Sequence, residues 1–134
     1  MSAVHVTVRV GPELYALPVD AVLEVAEVDR LTLVPGAPSA TLGLQNLRGS
    51  ALPVFELAAL LGVSGGDPSR IVVTECQGSR AGLAVDEVCD VGLLPDGGDE
   101  SESPLLARAA LTDAGLIGVL DLEELFDELQ GAAS

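Results

Sequence analysis

The sequence predicts a mainly β protein, in which short strands turn back on one another with little helix between them. Three observations predict this. Val4, Val6, Val8 and Val10 alternate with His5, Thr7 and Arg9, the period of a half-buried strand. Turn signals recur at short intervals, at Gly11-Pro12, Val34-Pro35-Gly36-Ala37-Pro38, Arg48-Gly49 and Gln77-Gly78-Ser79. Only the end of the chain carries a clear amphipathic helical pattern. Many short strands with turns between them indicate an all-β barrel architecture.

Each element follows from its residues. Gly11-Pro12-Glu13 ends the first strand, and Leu14 to Leu17 is the returning half of a hairpin. Pro18 with Asp20 opens a short helical turn. From Ala21 to Val28 the apolar residues Val22, Val25 and Val28 recur every third position, as do Glu24 and Glu27, but the β-branched content favours a strand. The two prolines around Gly36 enforce a loop, because the residue before each proline is pushed out of the helical region. Strands resume on both sides of Arg48-Gly49, and a short helix runs from Glu56 to Leu61, closed by Gly62. Ser64 to Ser69, rich in glycine and serine, reads as a joint. Beyond it, Ile71 to Thr74 and Ala81 to Val85 form a hairpin about Gln77-Gly78-Ser79, and a third strand runs from Val88 to Leu94.

The final helix is the clearest. Asp121 caps it and Glu124 stands three residues on, the spacing of a capping box. Leu122, Leu125, Phe126 and Leu129 form one apolar stripe, Glu123, Glu124, Asp127 and Glu128 the polar face, and Gly131 the end. Such a stripe is expected to pack on the protein's own core.

Composition narrows function. At 134 residues and 49% hydrophobic, the chain can bury a core of its own. No run of about 18 apolar residues occurs, and the N-terminus lacks a basic start before an apolar stretch, so a soluble, cytoplasmic protein without membrane insertion is expected. Cys76 and Cys89, in strand-like apolar contexts, are expected to be buried structural thiols. Acidic residues number 21 against six basic ones, all arginine, for a formal net charge of −15. That field repels phosphate, which argues against nucleic acid and favours a basic or mixed-charge protein partner, unless the acid serves solubility alone.

Catalysis finds no constellation. His5 lies among valines with no nucleophile motif to serve, the chain has no lysine, and neither a phosphate-binding glycine loop nor a dinucleotide fingerprint occurs. The run Asp96 to Ser103 resembles a calcium loop only superficially, since glycine falls at its third position rather than its sixth. No metal and no cofactor are expected. What stands out instead is Gly43 to Leu57, where one arginine sits at a turn between apolar strands. A fixed cation there reads as a recognition element, with a structural role, bonded to carbonyls or to a carboxylate, as the alternative.

Seven segments in order resemble the chemotaxis coupling protein family, CheW-like proteins. They are Val8 to Gly11 with Tyr15, Val22 to Val25, Val34 to Pro38, Gly43 to Gly49, Leu52 to Leu57, Gly82 to Val88 and Leu120 to Leu125. The resemblance implies two packed five-stranded SH3-like β-barrels, approximately 14–66 and 67–130, with strand 4–10 crossing to the second. It implies no catalytic activity, a monomer when free, and two partners: the cytoplasmic tip of methyl-accepting chemoreceptors and the regulatory domain of the histidine kinase CheA. Arg48, Asn46, Gly49, Gly43, Val22 and Glu24 would then belong to the receptor- and kinase-binding face. Gly82, Leu83, Val85, Asp86 and Val88 would belong to the kinase-facing second barrel. Two departures are Ala16 where the family has glycine after Tyr15, and Glu56 where it has aspartate. A system controlling surface motility rather than flagella, or a small-ligand-binding barrel, are the other readings.

Overall fold

The computed structural model describes residues 2–95, 97–98 and 103–132. Among these the chain order is β1 (Ser2–Val10), β2 (Glu13–Pro18), β3 (Val22–Glu27), β4 (Thr41–Leu47), β5 (Ser50–Glu56), α1 (Leu57–Leu61), β6 (Arg70–Cys76), β7 (Ser79–Val85), β8 (Glu87–Pro95), β9 (Leu106–Thr112), β10 (Gly115–Leu120) and α2 (Leu122–Ala132). A single 3-10 turn, Val19–Ala21, follows Pro18 as the sequence predicts. The strands form two five-stranded sheets: sheet I in the order β8-β1-β2-β10-β9 and sheet II in the order β3-β6-β7-β5-β4. The fold is thus mainly β and double, as expected.

Which strands share a sheet is not what chain order suggests. Hairpin β1–β2 joins β8, β9 and β10, and hairpin β6–β7 joins β3, β4 and β5. The expected division at the Ser64 to Ser69 joint is therefore not where the sheets part, since β6 and β7 lie beyond it yet complete the sheet begun by β3. The N-terminal strand pairs with β8, from Ser2 opposite Pro95 to Arg9 opposite Glu87. The two exchanged hairpins are anchored in the same way, each by one parallel pairing: β2 on β10, with Tyr15 beside Gly118, and β7 on β5, with Leu83 beside Phe55. A hairpin satisfies only its inner backbone groups, and its outer edges must find partners elsewhere.

The reciprocal exchange reflects an internal repeat. Ala16-Leu17-Pro18-Val19-Asp20-Ala21-Val22-Leu23-Glu24-Val25 matches Gly82-Leu83-Ala84-Val85-Asp86-Glu87-Val88-Cys89-Asp90-Val91, 66 residues on, with Leu, Val, Asp, Val and Val identical. The structure gives the two stretches the same role, since each leads from an exchanged hairpin into an edge strand. Each edge strand also starts with an irregularity, which leaves Leu23 out of register in β3 and Cys89 in β8.

Three apolar clusters follow from this arrangement. The largest lies between the sheets and includes Val6, Val8, Val10, Tyr15, Leu17, Val72, Leu83 and Val85, with Leu57 of α1 and Leu122, Leu125, Phe126 and Leu129 of α2. A second belongs to sheet I alone, around Ala16, Ile117 and Val119, and a third to sheet II, around Leu52, Val54, Ile71 and Val73. Helix α2 closes the first cluster, so its apolar stripe faces the protein's own core.

Several details depart from expectation. The capping box is half formed: Asp121 Oδ1 accepts from the Glu124 N–H at 3.2 Å, but the Asp121 N–H donates to the Leu105 carbonyl at 2.8 Å, so no bond returns from Glu124. The helix also runs on through Gly131 to Ala132. Glu56 precedes α1 without a side-chain cap bond. Cys76 is half-buried and Cys89 exposed, contrary to the expected burial of both thiols; Cys89 is the residue the β8 irregularity pushes out of register. Of the four alternating valines, Val4 is exposed while His5 is buried, with its Nδ1 3.0 Å from the Ala3 carbonyl oxygen that it bonds. Strands β9 and β10 had no sequence assignment. The polar run from Asp96 lies largely outside the described residues.

Leu125 and Phe126 are 0% and 2% exposed. Truncating either to alanine is expected to destabilise the protein by about 2–5 kcal/mol. Urea denaturation midpoints test this, and a near-wild-type midpoint for both variants would contradict the packing described.

Candidate functional site

The β4–β5 hairpin presents the arginine that the sequence singles out. Its turn is the two-residue pair Arg48-Gly49, with φ of 52° and 84°. Positive φ at both positions is the geometry that matches the twist of the flanking strands. The other X-Gly hairpin, Gln77-Gly78, has the same form, at 52° and 80°. The turn is therefore a general solution, and the choice of arginine is the particular one. Asn46 Oδ1 braces it by accepting the Gly49 N–H at 3.1 Å.

Arg48 does not point freely into water. Its Nε donates to Glu24 Oε2 at 3.0 Å and its Nη2 to Glu24 Oε1 at 3.3 Å, a two-pronged pairing with a residue of β3. The carboxylate also holds the guanidinium above its ordinary pKa, through the hydrogen bond first and the charge second. The arginine side chain remains 78% exposed and its partner 29%. Two N–H donors are used and the rest face solvent. Glu24 fixes the direction of the fork, and the unused donors are what a second protein could read.

The pair spans a seam. Strands β3 and β4 are the two edges of sheet II, and side chains and a loop link them where no ladder does. Buried Gln45 of β4 donates from Nε2 to the Glu27 carbonyl at 3.0 Å, and its Oε1 accepts the Asp29 N–H at 2.8 Å. Beyond this, Thr32 and Leu44 exchange backbone bonds of 2.8 and 2.9 Å. That approach explains Gly43: φ is 142°, and a Cβ there would lie 2.6 Å from the Thr32 carbonyl oxygen. Gly43 and Gln45 hold the seam, and Arg48 and Glu24 finish it at the exposed end. A cavity of about 220 Å³ adjoins the pair, lined by Leu23, Leu47, Pro53, Val73 and Arg80 among others. Val22, half-buried at the start of β3, packs against the inter-sheet core.

The second set of candidates is placed differently. Gly82, Leu83 and Val85 lie in β7, in the same sheet as Arg48, and are buried. They cannot touch a partner in this fold, which corrects the expectation of a separate, kinase-facing set. Asp86 is structural: Oδ2 accepts the Gly11 N–H at 2.9 Å and lies 3.5 Å from Arg9 Nη1, tying the β1–β2 turn to the end of β7. Val88 is half-buried against the inter-sheet core.

The repeat reveals a second end that the sequence reading missed. At the place in sheet I that corresponds to the Arg48 turn, Asp113-Ala114 joins β9 to β10, and Asp90 stands where β3 has Glu24. The two aspartates line a cavity of about 300 Å³ with Thr7, Cys89 and Thr112. The sheet II turn thus carries an arginine clamped by glutamate, and its counterpart in sheet I carries two acids. The 66-residue repeat was the available signal.

Residues 5–130 match the family model described as CheW-like domain. The "Probable chemotaxis protein CheW" of Rhizobium etli is 33% identical over 137 residues, covering 94% of this chain and 88% of that protein. The "Chemotaxis protein CheW" of Rhizobium meliloti is 34% identical over 91 residues, covering 66% of this chain and 59% of that protein. Among solved structures, the scaffolding protein TtCheW from Thermoanaerobacter tengcongensis superposes with a TM-score of 0.83 at 31% identity, covering 94% of this chain and 88% of that one.

Asp86→Ala removes the acceptor of a partly buried N–H and is expected to cost about 1–3 kcal/mol of stability. Thermal melting measures it. An unchanged melting temperature would return Asp86 to the list of surface contacts.

Proposed function

The chain belongs to the CheW-like domain family, and from that premise we propose that it is a non-catalytic coupling adaptor of chemotaxis-type signal transduction. It joins the cytoplasmic tips of methyl-accepting chemoreceptors to the regulatory domain of the histidine kinase CheA, and so works in the cytoplasm. Among the described residues no helix is long and apolar enough to cross a membrane.

One observation carries the reading most directly. Glu24 and Arg48, 24 residues apart, each stand in a motif that resemblance assigns to partner binding, and the fold joins them in one exposed ion pair. An arginine is suited to this: it stays charged, its fork is rigid, and it carries a large share of binding energy where interfaces centre on it. Clamping by Glu24 lowers the rotamer freedom that binding would otherwise have to remove. The formal charge of −15 favours partners with basic or mixed surfaces.

An adaptor must hold two partners at once, and the second face falls on sheet I. There β8 exposes Val91 and Leu93, and Leu111 of β9 stands opposite Leu116 of β10, both exposed. Single contacts of this size bind weakly, and many copies in an array supply the avidity.

Arg48→Glu is expected to weaken binding of a receptor-tip or kinase regulatory fragment by about tenfold or more while melting stays unchanged, since the change is at an exposed turn. The double variant Arg48→Glu with Glu24→Arg restores the internal pair but reverses its polarity, and should remain defective. Titration by calorimetry distinguishes the cases. Full binding by either variant would show that the pair only braces the seam.

A further inference from the structure

We propose that the outer face of the β4–β5 hairpin is a docking track for an amphipathic helix of a partner protein, one that carries lysine or arginine beside its apolar ridge. This goes beyond the adaptor reading, which uses the Arg48–Glu24 pair and the exposed apolar residues of sheet I, and it stands whichever partner supplies the helix.

The track is set by register. Inward residues of the hairpin, Gly43, Gln45, Leu52 and Val54, are buried on the cluster that belongs to sheet II. The outward residues are the cross-strand pairs Asn46 with Ala51, Leu44 with Pro53 and Thr41 with Phe55. None of these is fully buried, because sheet I covers the outer face of sheet II mainly over β6 and β7. The pairs run from the Arg48 turn to the C-terminal end of α2, where Leu129 meets Phe55 across a shared cavity. From Ala51 to Phe55 the track is about 14 Å long at the rise of a strand. That length matches about nine residues of helix.

Cavities follow the same line. Pro53 lines both the cavity beside Arg48 and a larger one of about 380 Å³, whose walls are Val34, Pro35 and Pro38 on one side and Leu129 on the other. A third, of about 160 Å³, continues from Pro38, Phe55 and Leu129 to Leu60 and Glu128. The proline wall is preformed: Ala37 donates to the Val34 carbonyl at 3.1 Å and Thr41 to the Pro38 carbonyl at 2.9 Å. An apolar groove with rigid walls suits a helix laid along it. Thr41, midway, has a hydroxyl without a hydrogen-bond partner among the described residues.

Charge selects the flank of that helix. No arginine lines the two cavities beyond Pro53, and Glu128 lines the last. Glu128, on the exposed face of α2, lines the groove, while Glu123 and Asp127 stand near Cys76; none of the three is in an ion pair among the described residues. A helix with acids there would be repelled, and one with bases held.

The full chain, labelled with nitrogen-15, is titrated with a leucine-ridge helical peptide of about 15 residues flanked by lysines, and with the same peptide flanked by glutamates. Saturable shifts confined to 34–38, the β4–β5 hairpin and the end of α2 are expected. The glutamate peptide should bind at least about tenfold more weakly. Ala51→Arg and Pro53→Arg, both outward, should each weaken the lysine peptide by a similar factor while thermal melting shows them folded. Equal binding of the two peptides, shifts centred on Val91 and Leu93, or unaltered binding by the folded variants would each overturn the proposal.

Discussion

The exchange of hairpins between the two sheets is the constraint on which the rest of the molecule depends. Because β1–β2 is anchored on β10 and β6–β7 on β5, neither half of the chain owns a complete sheet. Both halves must be present before either sheet is filled. The apolar cluster between the sheets is correspondingly the largest, and the terminal helix is recruited to close it. Polar ties reinforce the crossing. Asp86, at the end of β7 in sheet II, holds the Gly11 turn of sheet I.

This construction bears on function through geometry. Two sheets locked in this way keep the Arg48 end and the Asp90–Asp113 end at a fixed separation and orientation. An adaptor that must seat two partners in one array benefits from such rigidity, since freedom between its ends would have to be lost on assembly. The two turns occupy corresponding places in the two sheets, but their charges differ. One presents a guanidinium already committed to a carboxylate, the other two aspartates that are in no ion pair among the described residues.

Local signals made most of the elements legible. The alternating valines marked β1, Arg48-Gly49 and Gln77-Gly78 marked two hairpins, and the Leu122 to Leu129 stripe marked α2, because each depends only on residues near in sequence. Sheet membership was not legible in the same way. Alternation tells which face of a strand is buried, not which strand lies beside it, so β6 and β7 were placed with the wrong neighbours. Strands β9 and β10 went unread because Ala107-Arg108-Ala109-Ala110 has little β-branched or aromatic content, and Gly115 and Gly118 weaken the next strand. Within the site, the importance of Arg48 and Glu24 was visible by resemblance, whereas their pairing was not, since a 24-residue separation carries no contact signal. Leu83 and Val85 were assigned to a surface that the packing of sheet I and α2 on sheet II buries. Their unbroken apolar context, Ala81 to Val85, is the pattern of a strand covered on both faces.

The locked exchange is tested most directly by native-state hydrogen exchange along a urea series, followed separately for amides of β1–β2 and β6–β7. If the two sheets are interdependent, the most protected amides of both hairpins should share one opening free energy and one urea dependence, equal to those of global unfolding. A hairpin pair that opens in one sheet while the other stays protected would show that the sheets are separable units, and would remove the basis for a rigid spacing between the two ends.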